Sequence, residues 1–201
     1  MSYANFTLKD IKSVLNLSIN ERVSLFFEAA ECSVSGHLLE TLKENVPLAL
    51  AISTEKARSE LIIAPVLVEL RKLLNYKISL FSGIELDVDN QRGLNGICDF
   101  VISRSDEQLF LSSPIITIVK AKNENIKGGL AQCIAEMYAA MLFNEKEGNA
   151  TSIIYGAVTT GSTWKFIELH NEMVFIDLDE YYIDNVGKII GILVKMIGKT
   201  N

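Results

Sequence analysis

Asp99, Lys120, Lys122, Gln132 and Glu136, with Glu60 upstream, are the residues whose types and spacing bear on chemistry. Asp99 sits inside the apolar stretch 96–103, and Lys120 and Lys122 close the next one, 114–122. Both stretches read as strands. Side chains alternate along a strand, so Lys120 and Lys122 point to the same side. Adjacent hairpin strands place Asp99 beside that end. Gln132 and Glu136 are four apart and share one face of the following helix, while Glu60 lies on the preceding one. The plainest chemistry for such a set is an ion pair between Asp99 and Lys122, with Glu60 solvated or salt-bridged and Gln132 an ordinary helix residue. Other chemistries are poorly supplied. Two histidines, His37 and His170, are too few for a histidine-based triad or metal cluster, and both read as surface residues. Three dispersed cysteines, Cys32, Cys98 and Cys133, form no CxxC pair and suit neither a zinc ribbon nor a disulfide framework.

The elements that must position these residues follow from periodicity. The chain has 201 residues, 49% apolar and 22% charged, enough for about one globular domain and inconsistent with disorder. Thr7-Leu8-Lys9-Asp10 resembles a capping box ahead of Ile11, Val14 and Leu15. Short helices are expected over 20–31 and 36–45, with Pro47 interrupting the next apolar run, so residues 1–53 read as an N-terminal helical extension. Residues 54–201 read as the core. Thr54 caps a long helix over 55–75 in which Pro65 predicts a kink or break. Residues 78–88 alternate around Gly83, which predicts a strand with a bend. Strands follow at 96–103 and 114–122. The latter is apolar on both faces until its end, which suits a central strand covered by helices. A helix over 128–144, a strand over 152–159, a hairpin of 164–169 with 173–178, and a helix from 180 to 197 complete an α/β domain with a mixed sheet. Trp164 reads as a packing residue of that hairpin.

The formal charge is −6, and no part of the chain is basic, which argues against tight constitutive DNA binding through phosphate neutralisation. The N-terminus lacks a cationic start followed by an apolar core, and no apolar run approaches the ~18 residues needed to span a bilayer. A cytoplasmic protein without a membrane partner is the default expectation.

The order and spacing resemble the PD-(D/E)XK nuclease-like superfamily, the restriction-endonuclease-like fold, over residues 55–165. That core runs helix, three-stranded meander, helix, strand. Its signature is an Asp in the second strand, then an acid, any residue and Lys in the third. Gly96-Ile97-Cys98-Asp99-Phe100 matches the first half, with Cys98 in place of the namesake proline. Lys120-Ala121-Lys122 matches the second half at its Lys, and Gln132 matches a helix glutamine of several branches. The resemblance implies an α/β/α sandwich with a central mixed sheet and a homodimer. It also implies a magnesium-dependent DNA phosphodiesterase, in which two carboxylates hold the ion and the ion activates a water.

The chain departs from the pattern at the third-strand acid, which is Lys120. Two ammonium groups then face one aspartate and repel a divalent ion, and Lys120 is expected to pair with Asp99 or a neighbouring Glu. Glu136 from the helix, or Glu60 from the first helix, is the candidate to supply the missing carboxylate; Glu124 lies beyond the strand end. The site expected from the resemblance is therefore Asp99, Lys122, Lys120, Gln132 and Glu60, with Asp99 and Glu136 as ligands of any magnesium that binds. The expected function is a nuclease-like protein with weak or lost activity. The alternatives are a non-catalytic descendant that binds nucleic acid or protein, and an active enzyme with a migrated carboxylate.

Overall fold

Thr7 accepts a hydrogen bond from the Asp10 amide, and the Asp10 carboxylate reaches back to the Thr7 amide at 2.9 Å. The capping box thus starts α1 (Leu8–Ser13) in the computed structural model, which describes residues 2–198. A short 3-10 turn, Tyr3–Asn5, precedes it. The chain then enters β1 (Ser18–Val23). This corrects the helix expected over 20–31. The edge of a later strand offers β1 its backbone partners, with Ser18 N–H on the Glu172 carbonyl at 2.9 Å and Leu178 N–H on the Val23 carbonyl at 2.9 Å. Tertiary pairing overrides local preference here.

Ser35 caps α2 (Gly36–Ile52), which continues through Pro47 instead of stopping near residue 45. Proline removes one helical hydrogen bond, but Leu38 and Leu42 before it and Ala49 after it are all anchored in the core. Thr54 caps α3 (Glu55–Arg58), which passes through a π-helical stretch, Ser59–Ile63, into α4 (Ala64–Leu73). The widened turn lies directly ahead of Pro65, as helices commonly adjust to a missing donor.

The sheet strands are β2 (Ser79–Glu85), β3 (Ile97–Ser103) and β4 (Ile115–Ala121), then β5 (Ile153–Thr159) after α5 (Ile126–Lys146). The hairpin β6 (Thr163–His170) and β7 (Met173–Asp177) follows. The helix expected from residue 180 starts later. Tyr181–Tyr182 form β8 against Thr163 and Trp164, a 3-10 turn follows, and α6 spans Val186–Ile197. The Tyr181 hydroxyl donates to buried Asp177 at 3.0 Å, which ties this segment to the sheet.

The sheet order is β1-β7-β6-β5-β4-β3-β2, with β8 on β6. β4 pairs antiparallel with β3 and parallel with β5, so the sheet is mixed and open. Its two faces carry separate apolar cores. One joins α2, α4 and α6 to Phe100, Val119, Trp164 and Phe166; the other joins α1, Tyr3 and α5 to Val101, Ile118, Val158 and Ile167. Every residue of β4 is buried, as its two apolar faces require. Trp164 is fully buried and donates its indole N–H to the Gly161 carbonyl at 3.0 Å, so it is a packing residue. Among the described residues, no helix is long and apolar enough to cross a membrane.

Candidate functional site

The site forms where β3 parts from β4. Those strands pair from Phe100 onward, and Asp99 lies just outside the paired stretch. On its other side β3 pairs with β2 through Ser82–Phe100 and Ile84–Cys98, with Gly83 between them at φ 65°. Glycine adopts that left-handed angle without a Cβ clash. The strands turn at this point. Cys98 and Phe100 would share one face of a flat strand, yet they join different cores.

The freed Asp99 carboxylate bridges the gap to β4. Its Oδ2 accepts the Ala121 N–H at 2.8 Å, and its Oδ1 accepts from the Lys120 ammonium at 3.0 Å. Lys120 is 3% exposed and turned toward α5, where Glu136 Oε1 lies 3.3 Å from its Nζ. That contact is an ion pair without hydrogen-bond angles, and both Glu136 oxygens lack a geometrically sound hydrogen bond. Gln132 lies one turn earlier on α5, close enough for its amide to favour the charged carboxylate. Helix and sheet come this close because residue 129 is glycine. A Cβ there would meet Val158 Cγ1 at 2.7 Å and Lys122 Cγ at 2.9 Å.

Burial sets the electrostatics. Glu136 is raised to about 7 in all: burial pushes it up most, Lys120 draws it back down, Asp99 adds to the rise, and Gln132 lowers it again. Burial pushes Lys120 down, but Glu136 and Asp99 together outweigh it and leave its pKa raised. The neighbouring thiols of Cys98 and Cys133 are held protonated, first by burial and then by the Glu136 charge. Near neutral pH the cluster therefore holds the Lys120 ammonium and a Glu136 close to its own titration point.

The structure brings together Asp99, Lys120, Glu136 and Gln132. Asp99 pairs with Lys120, as expected of an ammonium standing in the place of a metal-binding acid, and the plainer alternative, a pair with Lys122, is not formed. The half-buried Lys122 faces Glu55 Oε2 at 3.7 Å instead. Glu60 is not part of the site. It pairs with exposed Lys56 at 2.9 Å and lines a groove between α2 and α4 with His37 and Val68. Sequence reasoning missed Glu55. Its only signal is an acid in the first turn of a helix, where acids favour the dipole at ordinary helix starts as well.

Magnesium, the ion that the resemblance implies, does not fit this arrangement. The position between the two carboxylates is taken by the Lys120 ammonium. Among the described residues, no group of three or more His, Cys, Asp and Glu side chains is placed to hold a metal. No family model matches the chain, and no curated protein matches it. Fold and site together define an α/β protein with a mixed open sheet and an Asp–Lys–Glu cluster, its lysine and glutamate buried and its aspartate partly exposed, at the break between two of its strands.

Proposed function

We propose that the chain has the restriction-endonuclease-like fold and is a nuclease-like protein whose metal centre has been replaced by an internal cation. Support for the fold comes from the succession of a capped helix, the antiparallel meander β2-β3-β4, α5, and β5 parallel to β4. Support for the site comes from Asp99 and the Lys120-Ala121-Lys122 strand end falling at one place on that framework.

The observation that carries the reading is Lys120 Nζ lying 3.0 Å from Asp99 and 3.3 Å from Glu136. Two unit charges ~4 Å apart at an effective dielectric near ~20 interact by about 4 kcal/mol. The ammonium gains this attraction from the carboxylates that a divalent ion needs, and it repels that ion by roughly twice as much. The cluster holds β3, β4 and α5 together and does not activate water. In this reading the sheet end binds a nucleic acid or protein partner without cutting it. With a net charge of −6, DNA binding is weak. A homodimer belongs to the same proposal, and sedimentation at roughly tens of micromolar protein tests it.

One competing reading rests on a specific observation. Glu136 reaches the same ammonium and would act as a migrated ligand in an active enzyme. Its full burial opposes this, because a hydrolytic metal also needs room for water and a phosphate oxygen. Plasmid cleavage in magnesium separates the readings. Wild type is expected to cut no faster than Asp99→Ala. Lys120→Glu restores the acid-x-Lys pattern and is expected to gain nicking that Asp99→Ala removes in the same background. Wild-type cleavage abolished by Asp99→Ala would overturn the silent-site reading.

A further inference from the structure

Arg58 is a charge that the cluster leaves unexplained. It ends α3, is only 6% exposed, and pairs with no carboxylate among the described residues. Its partners are neutral oxygens: Nε donates to Asn123 Oδ1 at 3.0 Å, and Nη1 to the Thr160 carbonyl at 3.0 Å. Buried charges are normally paired, because desolvating one without a counter-charge is costly. Two bonds of this kind leave part of the five-donor guanidinium fork uncommitted.

Arg58 lines a cavity of about 360 Å³. The cavity lies beyond the carboxyl ends of the parallel strands β4 and β5, the position where open α/β sheets characteristically bind ligands. Its wall includes Thr160, Ser162 and Thr163 from the β5–β6 turn, and Ile126 at the start of the 21-residue helix α5. A helix start presents the positive end of the helix dipole. Thr160 is buried with Arg58, whereas Glu124 and Glu180 are exposed, so the acids stand at the mouth.

We propose that this cavity binds a phosphomonoester. The phosphate sits against Arg58 and the hydroxyl groups of Thr160 and Ser162, and it supplies the counter-charge that the protein does not. A guanidinium fork suits phosphate oxygens because it offers parallel N–H donors. Glu124 and Glu180 accept hydrogen bonds from hydroxyl or amino groups on the rest of the ligand and repel a second phosphate. The site therefore selects a terminal monophosphate over a polyphosphate or an internal phosphodiester. The inference is independent of the silent metal centre, because it uses neither Lys120 nor Asp99.

The test is a titration of the full chain with inorganic phosphate, followed by amide NMR and matched in ionic strength with chloride. The expected result is a saturable shift at the Arg58 Nε–H, at Thr160–Thr163 and at Ile126. Arg58→Lys, which loses the fork but keeps the charge, is expected to weaken binding about tenfold. Ser162→Asp places a carboxylate in the cavity without touching Arg58 and is expected to abolish binding, which covers the case in which the Arg58 variant fails to fold. Glu180→Gln is expected to tighten it. Further arms use ribose 5-phosphate, a nucleoside 5′-monophosphate and a short oligonucleotide with or without a 5′-phosphate. The tightest of these identifies whether the source is a sugar phosphate, a free nucleotide or a strand end. A non-saturable response, binding unchanged in Ser162→Asp, or equal binding of ligands with and without their phosphate would overturn the proposal.

Discussion

Glu136→Gln is the substitution whose effect can be worked furthest from the structure. Glu136 is fully buried on α5 and faces Lys120 from β4 and Asp99 from β3, with Cys98 and Cys133 alongside. Its pKa rises from 4.5 to about 7 on folding, because burial disfavours the carboxylate more than Lys120 favours it. A folded-state pKa above the unfolded value means that the native state holds the proton more tightly. The resulting stabilisation is fully present below the unfolded pKa and is lost as pH rises through the folded one. Each pKa unit corresponds to about 1.4 kcal/mol, so Glu136 alone is expected to remove about 3 kcal/mol of stability between pH ~4.5 and pH ~7. Glutamine has the same shape and no titration. Urea denaturation of both proteins across that pH range is the assay, and the difference between them is the quantity to follow, because the other carboxylates cancel. Relative to Glu136→Gln, wild type is expected to lose about 3 kcal/mol as pH rises. A difference that stays flat, or that moves in favour of wild type with rising pH, would refute the placement of Glu136 as a buried carboxylate only partly satisfied by Lys120.

Asn144→Ala is expected to lose about 2–4 kcal/mol in chemical denaturation. The Asn144 side chain accepts from Ile115 N–H at 2.7 Å and donates to the Ile115 carbonyl at 2.8 Å and to Thr151 at 3.1 Å, so its loss strands buried groups at the start of β4. Gly129→Ala drives a methyl group to within 2.7 Å of Val158 Cγ1 and is expected to cost about 1–3 kcal/mol by forcing α5 off the sheet, read as a lower melting temperature. Asp177→Asn is expected to destabilise by about 1–3 kcal/mol, because the buried carboxylate accepts from Leu25 N–H and the Tyr181 hydroxyl, both at 3.0 Å, and an amide nitrogen cannot accept in its place. Faster hydrogen exchange around residues 24–26 and 181–182 checks that it ties those segments to β7.

The parts of the fold legible in the sequence are those fixed by local pattern. β4 declared itself by apolar residues on both faces, and it is a central strand buried along its whole length. Gly83 signalled a bend, and the strands turn there. Thr7 and Thr54 cap the helices that follow them. The parts missed depend on distant partners. β1 exists because β7 offers it a parallel edge, which no property of residues 18–23 announces. α2 passes Pro47 because core contacts hold both sides of the proline. In the site, strand alternation put Lys120 and Lys122 on one side and left open which of them meets Asp99. The break between β3 and β4 at Asp99, together with the approach of α5 at Gly129, decides for Lys120 and leaves Lys122 to Glu55. The buried Arg58 was read only as part of a helix start, because its partners, Asn123 and Thr160, lie more than sixty residues away.

The central claim is that the Lys120 ammonium occupies the place of a divalent ion, and its most direct test is a crystal structure of the wild-type protein grown with manganese, measured at the manganese absorption edge. The account expects Lys120 Nζ between Asp99 and Glu136, at distances close to 3.0 and 3.3 Å, and no anomalous peak beside either carboxylate. The same experiment on Lys120→Glu is expected to show a peak on Asp99. An anomalous peak coordinated by Asp99 or Glu136 in the wild-type crystal, with Lys120 displaced from between them, would contradict it.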